Sequence, residues 1–413
     1  MTLWNPEWKI SIQGVEYTDL TIANLKINSG RTDIERQPVA GYANLEILNN
    51  NGNAVTVNIN DGVTIAVKDS NGDFVNIFGG SITDLEILVA SAGSTGLSQR
   101  IKITALGALS RLTRAITTGV LSKDYDGNQI YELLKDVLFN NWNELPASQT
   151  WNTYNATTTW ATAENIGLGE IDQPGEYELA ARTSQITDVY SLVAALATSA
   201  LGYIYEDANG NIGYADANHR QTYFAANGYV ELSANDAYAN AIKIKTSTGA
   251  VKNSITLKYA SGEKTAQDLD SIASFGLLAT SIDTTLHNAT DAQNQADRYI
   301  ALRGYPRYLF DSITFPIGNP EIGNADRDAL LNIFMGMPVK ITDLPINMLG
   351  GEFTGYVEGW SFSASVNSLA LTIFASPREF SEVAQKWNEV NAAETWNSIL
   401  NTLEWQDAIG VIS

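Results

Sequence analysis

The sequence contains no cysteine and only two histidines, His219 and His287, in 413 residues. The first absence excludes a disulfide framework, a thiolate metal site and a cysteine nucleophile. The second makes most zinc sites and any Ser/His or His/His catalytic pair hard to build. Basic residues are sparse as well: 25 Lys and Arg stand against 46 Asp and Glu, a net charge of −21. Such a chain gains little by displacing phosphate counterions, so tight binding of nucleic acid is not expected. Acidity alone serves solubility. No apolar run reaches the roughly 20 residues of a membrane span. The longest, 189–205, is interrupted by Ser and Thr and reads as a buried helix. The opening MTLWNPEWKI lacks the basic and apolar segments of a secretory signal, so a mature start is expected.

Catalytic signatures are missing too. HExxH, GxSxG, GxGxxG and GxxxxGK[ST] do not occur, and a chain this acidic produces carboxylate pairs such as Asp84/Glu86 and Asp326/Asp328 by chance. The expectation is a protein that is not an enzyme and needs no cofactor or metal. His219 and His287 are expected to be ordinary surface or turn residues. Asp283 and Asp291 flank His287 at four residues on either side, but only Asp291 falls in a predicted helix, so no metal site is assigned.

What is present is β-strand texture. WKISIQ, VEYTDLTIANLKI, YANLEIL, AVTVNI, VTIAVK, SITDLEILVA and RIKITAL follow one another in the first hundred residues, with NG or DG turns at 51–52, 61–62 and 71–72. In SITDLEILVA, Leu85, Ile87 and Val89 share one face and Asp84 and Glu86 the other, which predicts a sheet with a buried and a wet side. Helical spacing then appears in 130–138 and after Asp188, followed by a hairpin around Asn209-Gly210. The DANGN run lacks the glycine and glutamate positions of a calcium loop and reads as a plain turn. After His219 strands return in NAIKIKTS, SITLKYA and YLFDSITFP, interrupted by helices through DAQNQADRYIALRG and DRDALLNIF.

Two repeats cut across this order. Trp142, Trp151 and Trp160 are spaced by nine, as are Trp387, Trp396 and Trp405. A step of nine is two and a half helical turns, and it also alternates faces along a strand, so neither element gathers three indoles on one side. Large rigid indoles presented one at a time suit pockets on a neighbouring surface. The segment after 376 cannot bury its three by itself and is expected to be an arm lying across a partner. The upstream triplet is expected to anchor the insert closer to home.

The second repeat is fainter. Gly62, Ile65, Val67 and Asp69 match Gly336, Val339, Ile341 and Asp343, all at one constant offset. Gly80, Ile82, Leu85 and Ile87 match Gly355, Val357, Trp360 and Phe362 at an offset longer by a single position, and IKITA at 101–105 matches LALTI at 369–373. The fold class expected is mainly β with an α/β insert: a β domain, sandwich or barrel, at 1–112, an insert at 113–218, a second copy of that domain at 219–376 related by duplication, and a C-terminal arm at 377–413.

SGRTDIERQPVAGYANLEIL, LATSALGYIYEDANGNIGYADANHR, GMPVKITDLP, GYVEGWSFS and the closing TW repeats together resemble the minor tail or tail-hub proteins of tailed bacteriophages. The resemblance implies two tail-tube-like barrels per subunit and a homotrimeric ring offering a pseudo-sixfold face to the tail tube. It implies partners above (tube or distal tail protein) and below (spike or central fibre), and a place in the virion after synthesis in the host cytoplasm. It also implies a lumen through which DNA passes without specific binding, with Asp84 and Glu86 as candidate lumen acids, and no membrane. The alternative from another class is a virion carbohydrate-binding β protein used in host recognition, since Trp and Tyr beside acids also stack on sugars.

Overall fold

The computed structural model describes residues 4–49, 55–91, 98–141, 152–153, 170–238, 242–346, 349–366 and 368–382. Its first part is β1 (Trp8–Ile12), β2 (Val15–Tyr17), β3 (Thr21–Gly30), β4 (Tyr42–Asn49), β5 (Gly62–Lys68), β6 (Phe74–Ser91) and β7 (Ser98–Gly107). AVTVNI, expected to be a strand, is not one: its described residues run irregularly into a turn, where Asn58 N donates to Asp61 Oδ2 at 2.7 Å. The acceptor offered by Asp61 competes with a ladder and wins locally.

Helices α1 (Leu109–Arg114), α2 (Asp126–Asn141) and α3 (Val189–Ser199) follow, then the hairpin β8 (Tyr203–Glu206) and β9 (Ile212–Ala215). Asp188 caps α3 as its sequence position suggests, its side chain accepting from Ser191 N. Asp207 Oδ1 accepts from Asn209 N and Asn211 N, which makes DANGN a side-chain-braced turn. Beyond it lie α4 (His219–Asn227), β10 (Val230–Ser233), β11 (Lys243–Lys245), β12 (Ser254–Tyr259), β13 (Gly262–Gln267), α5 (Leu269–Phe275), β14 (Ala279–Asp283) and α6 (Ala289–Arg303). The last described stretch holds β15 (Leu309–Pro316), α7 (Asn324–Leu331), β16 (Pro338–Thr342), β17 (Phe353–Ser365) and β18 (Ser368–Pro377).

The protein is mainly β, organised among the described residues on one large and chiefly antiparallel sheet of thirteen strands. Along it the order is β11-β15-β18-β17-β3-β4-β7-β6-β5-β1-β2, with β16 and then β10 joining β17 at its other end. The expected pair of closed barrels is corrected here: among the described residues the sheet stays open, and its two halves merge where β17 pairs with β3 from Gly359↔Gly30 to Ser365↔Asn24. Pairing with the other half satisfies an edge that barrel closure would otherwise have to cover.

One face of the sheet buries Leu25, Ile27, Leu45, Ile47, Ile101 and Ile103, and the same apolar cluster continues through Phe362, Leu371, Phe315 and Val339. A second core is assembled from Leu109, Leu134, Ile171, Val193, Leu196 and Tyr214 together with Ile255, Leu257, Leu286 and Ile300. It therefore recruits β12 and α6 as well as the segment between β7 and α4. The loop between β3 and β4 ties it to the sheet: Gln37 donates to Gly202 O at 3.0 Å, and Tyr190 Oη donates to Pro38 O at 2.6 Å.

Candidate functional site

The seam between the half-sheets is built around a bulge. β17 pairs with β16 through Tyr356 and with β3 from Gly359 onward, and its register against β18 slips between Val357 and Gly359. The bulged residue is Glu358, almost fully buried. Arg31, just past the end of β3, donates from Nε at 2.7 Å; Arg220 of α4 donates from Nη1 and Nη2 at 2.6 and 2.9 Å; Ser376 of β18 donates at 2.5 Å. Arg31 and Arg220, both remote in sequence, thus meet the paired strands β17 and β18 on one carboxylate. Burial works against its charge, but the two guanidinium groups outweigh burial and hold the carboxyl down at about 2.

The backbone at the seam leaves no room for side chains. Gly30 adopts φ +78°, and a Cβ there would come within 2.4 Å of Glu358 O; one on Gly359 would come within 2.6 Å of Arg31 O. Glycine is required at both places because two strands change partners at van der Waals distance.

The opposite face of the sheet is wet. Along one row lie Glu86, Lys102, Glu46, Asn24, Ser365 and Ser368, and along the next Asp84, Thr104, Asn44, Lys26 and Ser363. Asp84 and Glu86 are both exposed on it, and Glu86 is paired with Lys102 at 3.1 Å. The face is less acidic than the whole chain, since Lys26, Arg100 and Lys102 accompany Asp84, Glu86 and Glu46 and the rest is Ser, Thr and Asn with Leu48 and Leu88 in the row of Arg100.

On the core side, Leu85, Ile87 and Val89 do align, opposite Ile103, Ile101 and Gln99. The expectation that this face is buried fails at its far end, where Ile87 and Val89 are 52% and 50% exposed and Leu88, on the wet side, 51%. The cause is length: β6 runs on beyond β5, which leaves it after Ser81, so residues 84–91 keep a partner on one edge only among the described residues.

Trp142, Trp151, Trp160, Trp387, Trp396 and Trp405 all lie outside the described residues. His219 is corrected from a surface position to a buried one, 2.7 Å from Asp172 Oδ2. No cluster of His, Asp and Glu among the described residues is arranged to hold a metal, and no described helix is long and apolar enough to cross a membrane.

Several carboxyls in or against the second core have a raised affinity for protons. Asp126, Glu170 and Glu206 are each pushed up to about 7, burial being the main cause. Glu206 accepts from Gly41 N and Leu109 N at 2.6 and 2.8 Å and so pins both the β3–β4 loop and the start of α1. A folded-state value above the unfolded one binds extra protons, so this stabilisation is full below the ordinary carboxylate range and is lost as pH rises through about 7. Glu358 acts in the opposite sense, contributing above the ordinary range and failing as pH falls toward 2. Thermal unfolding across pH is expected to show greatest stability near the ordinary carboxylate range, about 4 to 5, and to decline as pH rises to about 7. A midpoint that rises steadily from pH 5 to 8 contradicts the assignment.

The seam was missed in the sequence, although a signal for it exists. Apolar residues in 357–362 step by three from Val357 to Trp360 before resuming a step of two at Phe362, which is the mark of a bulge.

No protein-family model matches the chain. No curated protein matches it either. Among solved structures, the 43 kDa tail protein of prophage MuSo2 from Shewanella oneidensis is similar at a TM-score of 0.55 and 12% identity, with 91% of this chain and all of that one covered. A tail protein from Neisseria meningitidis MC58 is similar at a TM-score of 0.55 and 12% identity over 90% of this chain and 97% of that one. At such identity the likeness concerns architecture, and on that ground the chain shares the fold of these two tail proteins.

Proposed function

We propose that this protein is a non-enzymatic structural hub at the distal end of a phage tail, three copies forming a ring whose six half-sheets meet a sixfold tube. A spike or fibre hangs below, and DNA passes through the lumen. The observation that carries this reading is that the two half-sheets have one plan. The order β3-β4-β7-β6-β5-β1 in the first is matched by β11-β15-β18-β17-β16-β10 in the second. Both central strands bulge at equivalent residues: β6 slips between Ile82 and Asp84, and β17 between Val357 and Gly359, at the same offset that relates Gly80 to Gly355. Duplication accounts for a shared irregularity better than convergence does. The ladders move the sequence match on the flanking strands by two positions: Val63 pairs with Gly80 as Val339 pairs with Gly355. A slip of two preserves the buried face, which is why the fainter repeat was readable at all. The halves differ at the end of the series, where β1 is antiparallel to β5 and β10 parallel to β16.

The division at 112, 218 and 376 belongs to the same proposal, with the insert enlarged by 255–300, and so does the arm at 377–413 that would seat Trp387, Trp396 and Trp405 on a partner. The wet face suits a lumen because its paired charges and hydroxyls offer a polyanion no net counterion release. Changing Asp84→Lys and Glu86→Lys together should alter the stability of the single chain by no more than about 0.5 kcal/mol while slowing DNA release from particles that assemble. Unchanged ejection removes these two residues from the lumen. Light scattering of the protein, alone or with its tube protein, is expected to return three copies, and a stable dimer contradicts the ring.

A further inference from the structure

Within one chain the half-sheets join through a ladder that is fully described: Ser361↔Asn28, Phe362↔Ile27, Ser363↔Lys26 and Ala364↔Leu25. If six half-sheets close a ring, the same join must recur between chains, and the structure shows which edges are left over. On β6, the counterpart of β17, residues 84–91 have no second partner among the described residues. On β11, the counterpart of β3, the edge away from β15 has none either.

We infer that β6 of one copy pairs antiparallel with β11 of the next, in a register fixed by the internal join. This rests on the ring reading and specifies its interface. Counting through the shared bulge places Ile87 where Phe362 stands in the second half. Counting through the ladders places Lys243 where Lys26 stands, because Lys26 pairs with Asn44 next to Leu45, Lys243 pairs with Ser312 next to Ile313, and Leu45 and Ile313 face the equivalent residues Ile103 and Ile373. The inter-copy partners are then Ile87 with Ile244, Val89 with Ile242, Glu86 with Lys245 and Leu88 with Lys243.

Side-chain chemistry, which is independent of the counting, agrees with this register at the first three positions. Ile87 and Val89, about half exposed here, meet Ile244 and Ile242, which are partly buried on the core side. A lone strand edge with apolar flanks is a surface that proteins cover or charge. Opposite charges face each other at Glu86 and Lys245 on the wet side, where cross-strand pairs of this kind are favourable. Lys243 and Lys245 both lie 2.5 Å from Asp311 within their own chain, so they present their charge at this edge already positioned. Leu88 against Lys243 is the one pair without evident complementarity beyond the lysine's aliphatic stem.

Because the chain has no cysteine, the register can be read by cross-linking. The double variant Ile87→Cys with Ile244→Cys, oxidised with copper phenanthroline under ring-forming conditions, should give covalent dimers and trimers on a denaturing gel. Ile87→Cys with Thr246→Cys, slipped by two positions, and each single variant should stay monomeric on the gel. Efficient cross-linking of the slipped pair alone overturns the register while leaving the ring intact. No cross-link from either pair in a sample that scatters as a trimer overturns the interface. A sample that scatters as a monomer even with tube protein present defeats the ring reading itself. Should the cysteine variants melt below the parent protein, charge exchange replaces them: Glu86→Lys and Lys245→Glu singly should raise the concentration needed for trimers several-fold, and the double variant should restore it. Failure of the double variant to recover counts against the pair.

Discussion

Replacing Glu358 with alanine is expected to lower the stability of the protein by about 3–5 kcal/mol, the usual consequence of stranding buried cations. The side chain is enclosed, and both Arg31 and Arg220 are nearly inaccessible. Their other acceptors are few: Arg36 O for Arg31 at 2.9 Å, and Ser381 Oγ at 3.0 Å and the Tyr203 hydroxyl for Arg220. Removing the carboxylate leaves two guanidinium groups desolvated and facing each other, and like charges at that depth are screened little by water. Glu358→Gln retains an acceptor and loses the charge, so it should fall between the parent and the alanine variant. A triple change that also makes Arg31 and Arg220 apolar should be less damaging than Glu358→Ala alone, since no unpaired charge remains. Urea unfolding of the three variants decides the matter. If Glu358→Ala unfolds at the parent midpoint, the seam is held by strand pairing and packing, and the carboxylate is incidental.

The second large effect concerns assembly. Changing Trp387, Trp396 and Trp405 together to alanine is expected to abolish incorporation into tails and leave the melting transition of the sheet where it was. Truncating a hot-spot tryptophan commonly weakens an interface by about 2 kcal/mol or more, and three separate pockets lost together exceed what a marginal assembly tolerates. The spacing of nine is the reason to expect separate pockets, because no regular element brings indoles at that step to one side. Thermal unfolding beside particle assembly distinguishes the outcomes. Normal incorporation makes the arm dispensable, and a lowered melting transition makes these tryptophans part of the protein's own core.

The sequence made the strands of the first half legible because each is an alternating run bounded by turn residues: YANLEIL, VTIAVK and RIKITAL became β4, β5 and β7 with little adjustment. The amphipathic helices at 126–141, 189–199 and 289–303 were legible from their spacing and, for the second, from the capping position Asp188; the cap of the third, Asn288, was not read. α4 was not, since HRQTYFAAN shows no extended apolar stripe and, besides burying Tyr223 and Phe224, is held by Arg220 and His219 reaching into buried acids. The open sheet was not legible either. A repeat found by pattern reports that two halves are alike and says nothing of whether each closes on itself or joins the other, because that choice rests on Gly30 and Gly359 meeting from opposite ends of the chain. Glu358 escaped for a related reason. A glutamate inside a strand normally signals the wet face, and only the bulge turns this one inward.

The central claim is that six like half-sheets, two from each of three chains, surround one axis. Electron microscopy of the tail particle carrying this protein tests it most directly, by counting copies in the ring and measuring where each half lies. Three copies, with the first and second half-sheets alternating at equal radius and β6 of each beside β11 of the next, is the result expected. A ring of two or six copies, or one in which the two halves occupy different radii, contradicts it.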